Sequence, residues 1–176
     1  MNAIFELVDA NDAAGIRELL ARTPTAKEER DETGISPLAR ALYRGSDDAY
    51  AAILEAGEPT DPWDRLLAGY ADGLPAPDAR SADGFTPLHL AAFVDNVAAA
   101  DTLLAAGADP NALATASFAR VTPLGTCAFS NALGVARRLL ENGADPHVGE
   151  DGVYTVEAEA IARGNQELVR LIEATR

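Results

Sequence analysis

Read for hydrophobic and polar positions, the chain alternates short apolar runs with polar turns at a helical rhythm. Residues 83–111, DGFTPLHLAAFVDNVAAADTLLAAGADPN, show the pattern most fully. The run LHLAAFV lasts barely two turns, Asp95-Asn96 interrupts it, and Val97, Ala100, Leu103 and Leu104 then recur at helical spacing. The pattern predicts two short helices, the second from about Val97 to Ala105. Thr86 is expected to cap the first with its hydroxyl, and Pro87 suits the opening turn, where no amide donor is needed. Gly107 is expected to end the second in a left-handed conformation. Neither helix can bury its apolar face alone, so the unit must draw its stability from a stacked neighbour.

The neighbours are present in the sequence. RVTPLGTCAFSNALGVARRLLENGADPH, residues 120–147, and GISPLARALYRGSDDAYAAILEAGEPT, residues 34–60, repeat the pattern, and GVYTVEAEAIARGNQELVRLIEATR closes the chain with a weaker copy. Ser36, Thr86, Thr122 and Thr155 align at spacings of 50, 36 and 33 residues, and Gly57, Gly107 and Gly143 repeat the first two. A base period of 33 with inserts of 17 and 3 residues accounts for every interval. The N-terminal IFELVDANDAAGIRELLAR fits as a helix pair without its leading turn.

Period, TPLH, the paired alanines, LL and GADPN together resemble the ankyrin repeat. The match is most specific at residues 81–111 and weakest at both ends; Gly125 stands where His89 does, and Leu42 replaces the second alanine. The resemblance implies an all-α ankyrin-repeat solenoid of stacked helix-turn-helix units with short β-turn-like fingers. The expected organisation is one domain over 1–176, in about five repeats: an N-terminal cap at 2–31, repeats at 32–60, 81–111 and 112–147, and a C-terminal cap at 148–176. End repeats are expected to present a polar outer face. The irregular piece is 61–80, where PWDRLLAGYADG predicts one amphipathic helix with Leu66, Leu67 and Tyr70 on a face, before Pro75 and Pro77 break it. Trp63, the chain's single tryptophan, makes this insert a secondary candidate for partner contact.

Charge narrows the partners. With 28 Asp and Glu against 14 Lys and Arg the net charge is −14, which argues against nucleic acid, since a phosphate backbone attracts basic clusters. A basic protein partner fits the charge; so does simple solubility. Apolar residues at 48% suit an ordinary globular chain. Neither a signal peptide nor a bilayer-length apolar run is evident, and one cysteine permits no internal disulfide, so the expectation is a cytoplasmic protein, and a monomer.

Chemistry-bearing residues are few. His89 resembles the repeat histidine that hydrogen-bonds neighbouring turn backbone, and His147 replaces the Asn111 of the other copy at a turn. Cys127 aligns with Ala91 and reads as a small core residue. Asp47, Asp48, Glu157 and Glu159 fall on solvent faces or caps, and no phosphate loop or dinucleotide fingerprint appears. The expectation is a non-enzyme with no metal and no cofactor.

The resemblance implies that partners bind a concave groove lined by the first helices and fingers. Carried onto this chain, the groove positions are Tyr43 and Arg44, Phe93 and Val94, Phe129 and Ser130, then Ala162 and Arg163; Phe85, Phe118 and Tyr154 lie toward the fingers. Of five Phe, four Tyr and one Trp, six fall on this surface, and aromatics are the residues most enriched as binding anchors. The expected function is a protein–protein interaction module. The alternatives are an adaptor that neutralises a basic toxin or regulator by charge, and a small-molecule enzyme on the same scaffold.

Overall fold

The computed structural model describes residues 2–116, 120–148 and 155–175. Among them are eleven α-helices, one 3-10 helix and no strand. The helices form pairs of one build. In four pairs the first helix follows a Ser or Thr whose hydroxyl accepts an amide hydrogen three residues on: Ser36 from Ala39, Thr86 from His89, Thr122 from Gly125, Thr155 from Ala158. Ten residues after each lies the cap of the second helix, at Ser46, Asn96, Ala132 and Asn165. The turn between holds one left-handed residue: Gly45 (φ 66°), Asp95 (51°), Asn131 (61°) or Gly164 (73°). The N-terminal pair repeats the scheme with Asn2, Asn11 (51°) and Asp12.

The pairs gather into two compact units, Met1–Ala68 and Gly69–Arg176. The first holds α1 (Ala3–Asp9), α2 (Ala13–Arg22), the 3-10 helix Pro24–Glu28, α3 (Pro37–Arg44), α4 (Asp47–Glu55) and α5 (Pro62–Leu67). Helix α1 packs on α3 and α2 on α4, giving a layer of first helices and a layer of second helices; α5 joins the first layer against α3. Ile4, Phe5, Val8, Ile16, Leu20, Leu38 and Ile53 form its core, each worth about 1.5–3 kcal/mol of apolar burial. The chain's single lysine, Lys27, points its ammonium at the carbonyls of Ala56 and Gly57, both at 3.2 Å, and so caps the C-terminal end of α4.

The second unit holds α6 (Pro87–Phe93), α7 (Val97–Ala105), α8 (Pro123–Ser130), α9 (Leu133–Glu141), α10 (Val156–Ala162) and α11 (Gln166–Glu173). Helices α6, α8 and α10 make one layer, α7, α9 and α11 the other. Ala91, Ala92, Cys127 and Ala128 are fully buried, small side chains that let neighbouring first helices approach, while Leu88, Leu103, Leu124, Leu139 and Leu168 fill the space between layers. Fingers close by backbone bonds from Asp31 to Ile35 and from Ser81 to Phe85. Gly107 (φ 89°) ends α7 as the pattern predicts.

Second helices satisfy their N-terminal amides in two ways. In α2, α7 and α11 the cap side chain, Asp12, Asn96 or Asn165, accepts from the third helical residue. Helices α4 and α9 start at Ser46 and Ala132, which make no such bond. There the left-handed residue of the preceding pair reaches across. Asn11 Oδ1 accepts from the Ala49 amide at 2.9 Å, and Asp95 Oδ1 from the Val135 amide at 2.8 Å.

Two expectations are corrected. The helix predicted through PWDRLLAGYADG stops at Leu67, because Gly69 turns left-handed (φ 93°) just after Ala68 closes the last turn. In the second unit the Asn96 side-chain amide then takes the Tyr70 carbonyl at 2.9 Å, holding that residue in a tertiary rather than a helical bond. The C-terminal pair also fails to present a wholly polar outer face, since Ile161 is 54% exposed.

Candidate interaction surface

In the second unit the C-terminal ends of α6, α8 and α10 carry the expected groove positions. Phe129 is the exposed aromatic, at 55%, and Ala162 and Arg163 are exposed as well; Phe93 and Val94 are half-buried, and so is Ser130. Ser130 is placed by its hydroxyl, within 2.8 Å of the Ala92 carbonyl and 3.1 Å of the Thr126 carbonyl, so it ties the end of α8 to α6. Arg163 ends α10 and folds back with its guanidinium 3.9 Å from the Phe129 ring centre. Its Nε meanwhile donates to Glu159 one turn earlier. The ring and the cation are thus held together in advance, an arrangement worth about 0.5–1 kcal/mol at an exposed site. Phe85 is half-buried, tilted at 55° against His89 with ring centres 5.6 Å apart. Phe118 and Tyr154 lie outside the described residues.

In the first unit Tyr43 is half-buried and Arg44 exposed. Arg44 is engaged by its own chain: its Nε lies 2.9 Å from Asp9. Asp9 also receives Arg40 through two nitrogens at 2.7 and 2.6 Å, and Arg40 donates to Asp31 at 3.1 Å as it passes 5.5 Å from the Phe5 ring. The Arg40 bond foremost holds the Asp9 carboxyl below its ordinary range. Trp63, on α5, is half-buried, its amide bonded to the Asp61 cap.

The chemically active residue types are placed structurally. His89 has no solvent exposure; its Nε2 donates to the Val121 carbonyl at 2.9 Å while Nδ1 faces the Thr86 hydroxyl at 2.7 Å. Burial foremost lowers its pKa to about 4, so the ring is neutral at physiological pH. Cys127 is fully buried, and that burial pushes its thiol well above the ordinary range, away from thiolate nucleophilicity. His147 is exposed in a turn, its amide bonded to Asp145.

Sequence reasoning passed over Asp64. It is 5% exposed, accepts the Ser36 hydroxyl at 2.5 Å, and lies 3.6 Å from Arg30, which itself pairs with Asp61 at 2.9 Å. Burial raises its pKa to about 6 against the pull of Ser36 and Arg30. A cavity of about 20 Å³ touches it, lined also by Lys27, Thr60 and Asp61. A carboxylate three residues after a helix cap and flanked by Trp63, Leu66 and Leu67 was the available signal.

Among the described residues no helix is long and apolar enough to cross a membrane, and no group of three or more His, Cys, Asp or Glu is disposed to hold a metal. No curated protein matches the chain significantly. Residues 83–114 match the ankyrin repeat family model. Those residues span α6, α7 and the finger beyond them; ankyrin repeat domains generally mediate protein–protein interaction. Residues 83–114 are thus an ankyrin repeat, and the helix pairs of the same build in both units are consistent with an ankyrin repeat protein.

Proposed function

We propose that this chain is a non-catalytic interaction module that takes a partner protein on the first-helix face of its second unit, at Phe93, Val94, Phe129, Ser130 and Arg163. The observation that supports it is the exposed Phe129 ring, 55% open to solvent and pre-set under Arg163. A large aromatic left in water is a cost that a partner relieves, and Phe and Arg are among the residues enriched at interfaces. Tyr43 and Arg44 hold the same register positions in the first unit and are its candidates. The non-catalytic part rests on His89 and Cys127, both sealed in the core.

The test is capture of partners by wild type beside a Phe129→Ala/Arg163→Ala variant. A protein retained by wild type and lost by the variant, at an unchanged melting temperature, supports the reading. Equal retention by both places the contact elsewhere, with Trp63 next to be substituted. The net charge of −14 favours a basic partner as a second element, and that complex should weaken steeply as salt rises.

A further inference from the structure

The helix pairs stack by a fixed register. Counting from the cap of a first helix, its third, sixth and seventh residues face the following pair. His89, third in α6, bonds the Val121 carbonyl; the carbonyl of Ala92, sixth, accepts from Ser130; Asp9, seventh in α1, takes Arg40 and Arg44 of α3. The fourth and eighth residues face the preceding pair, as Arg40 and Arg44 show in α3, Ser130 in α8 and Arg163 in α10.

In the first and last pairs the outward register positions are exposed. The third and sixth positions are buried in α6 (His89, Ala92) and α8 (Gly125, Ala128), but in α10 they are Ala158 and Ile161, both exposed. At the other end the fourth and eighth positions of α1 are Glu6 and Ala10, exposed as well. The second helices add charge to the match. Arg138, sixth after the cap of α9, pairs at 3.0 Å with Asp101, fifth after the cap of α7. On α11 the fifth position is Arg170, 3.7 Å from Glu167 of its own helix; on α2 the sixth is Glu18, 3.2 Å from Arg22. The same rung is offered with its signs reversed.

We infer that copies of this chain associate head to tail, α10 and α11 of one copy receiving α1 and α2 of the next in the register that joins pairs within each unit. Ile161 then lies against Ala10 as Ala92 lies against Ser130, and Arg170 meets Glu18. The small Ala10 leaves room for the larger isoleucine. The contact is heterologous, so an open dimer keeps one free head and one free tail to which further copies can add. Like-charged copies repel, which keeps the association weak at low ionic strength and strengthens it as salt screens the net charge. The assembly departs from the monomer expected from sequence, and it does not use the exposed Phe129 ring.

Sedimentation of the full chain from micromolar to near-millimolar concentration tests the inference. The weight-average mass should climb with concentration past twice 18.4 kDa. Ile161→Arg blocks the tail and Ala10→Arg the head; each alone should remain monomeric, and an equimolar mixture should form a one-to-one dimer that grows no further. Arg170→Glu should weaken wild-type association about threefold, the size of an exposed ion pair, and Glu18→Arg in the same chain should restore it. All four positions are exposed, so unchanged melting temperatures are expected; if Ile161→Arg fails to fold, Ala158→Glu blocks the same face. A wild type that stays monomeric throughout overturns the inference. So do blocked variants that associate like wild type, or a mixture of blocked variants that stays monomeric.

Discussion

Replacing Asp64 by Asn should remove a proton-linked weakness from the first unit. The folded carboxyl titrates at about 6 against an ordinary value of 3.8, because burial outweighs the Ser36 hydroxyl and the Arg30 guanidinium. An acid whose folded value lies above its unfolded one stabilises the fold fully below 3.8 and loses that contribution as pH rises through 6. At about 1.4 kcal/mol per unit the ionised group costs the fold about 3 kcal/mol near pH 7.5. Asn keeps an acceptor for the Ser36 hydroxyl and never ionises. The stability of Asp64→Asn relative to wild type should therefore improve by about 2–3 kcal/mol between pH 4 and pH 7.5. Urea unfolding followed by Trp63 fluorescence reads this directly, since the only tryptophan sits beside Asp64 on α5. Other titrating groups are shared by the two proteins and cancel in the difference. Parallel curves across that pH range, or a variant that loses ground toward pH 7.5, would refute the reasoning.

His89 should act in the opposite direction in the second unit. Its depressed value contributes stability above 6.5 that is lost as pH falls through about 4, seen as faster amide exchange in α6. His89→Ala should cost about 2–4 kcal/mol at neutral pH, measured by chemical unfolding, because it empties a buried site bonded on both sides. Asp95→Ala should cost about 1–2 kcal/mol and speed exchange at Val135 while leaving α7 protected. Gly84→Ala should lower the melting temperature by several degrees, roughly 2 kcal/mol of strain. Gly84 is left-handed at φ 89°, and an added Cβ would stand 2.7 Å from the Ala116 nitrogen. Phe129→Ala should change stability by less than about 1 kcal/mol, the mark of a surface residue.

Features set by local chemistry were legible in the sequence. Thr86, Thr122 and Thr155 accept amides as their place before an apolar run predicts, and the helix Val97–Ala105 has the expected limits. Features set by contact between pairs were not. Ser36 and Asp64 are 28 residues apart, and nothing near either one marks the other as its partner. The insert helix ran too long in the sequence reading because apolar spacing continues past the point where Gly69 turns. Phe93 and Phe129 occupy equal register positions, yet only the second is exposed; a periodic pattern assigns both the same place. Arg44 illustrates the same limit, since its engagement by Asp9 depends on how α3 lies on α1.

The caps lent by Asn11 to α4 and by Asp95 to α9 give the chain a sense of direction. Starting a helix is its most unfavourable step, and a borrowed cap lowers that step only once its lender is in place. Helices α2 and α7 carry their own caps; the caps of α4 and α9 are completed by the pair before them. During synthesis the lender always leaves the ribosome first. For α4 and α9, then, the cap is already made when the helix emerges, and neither waits on residues not yet translated for it.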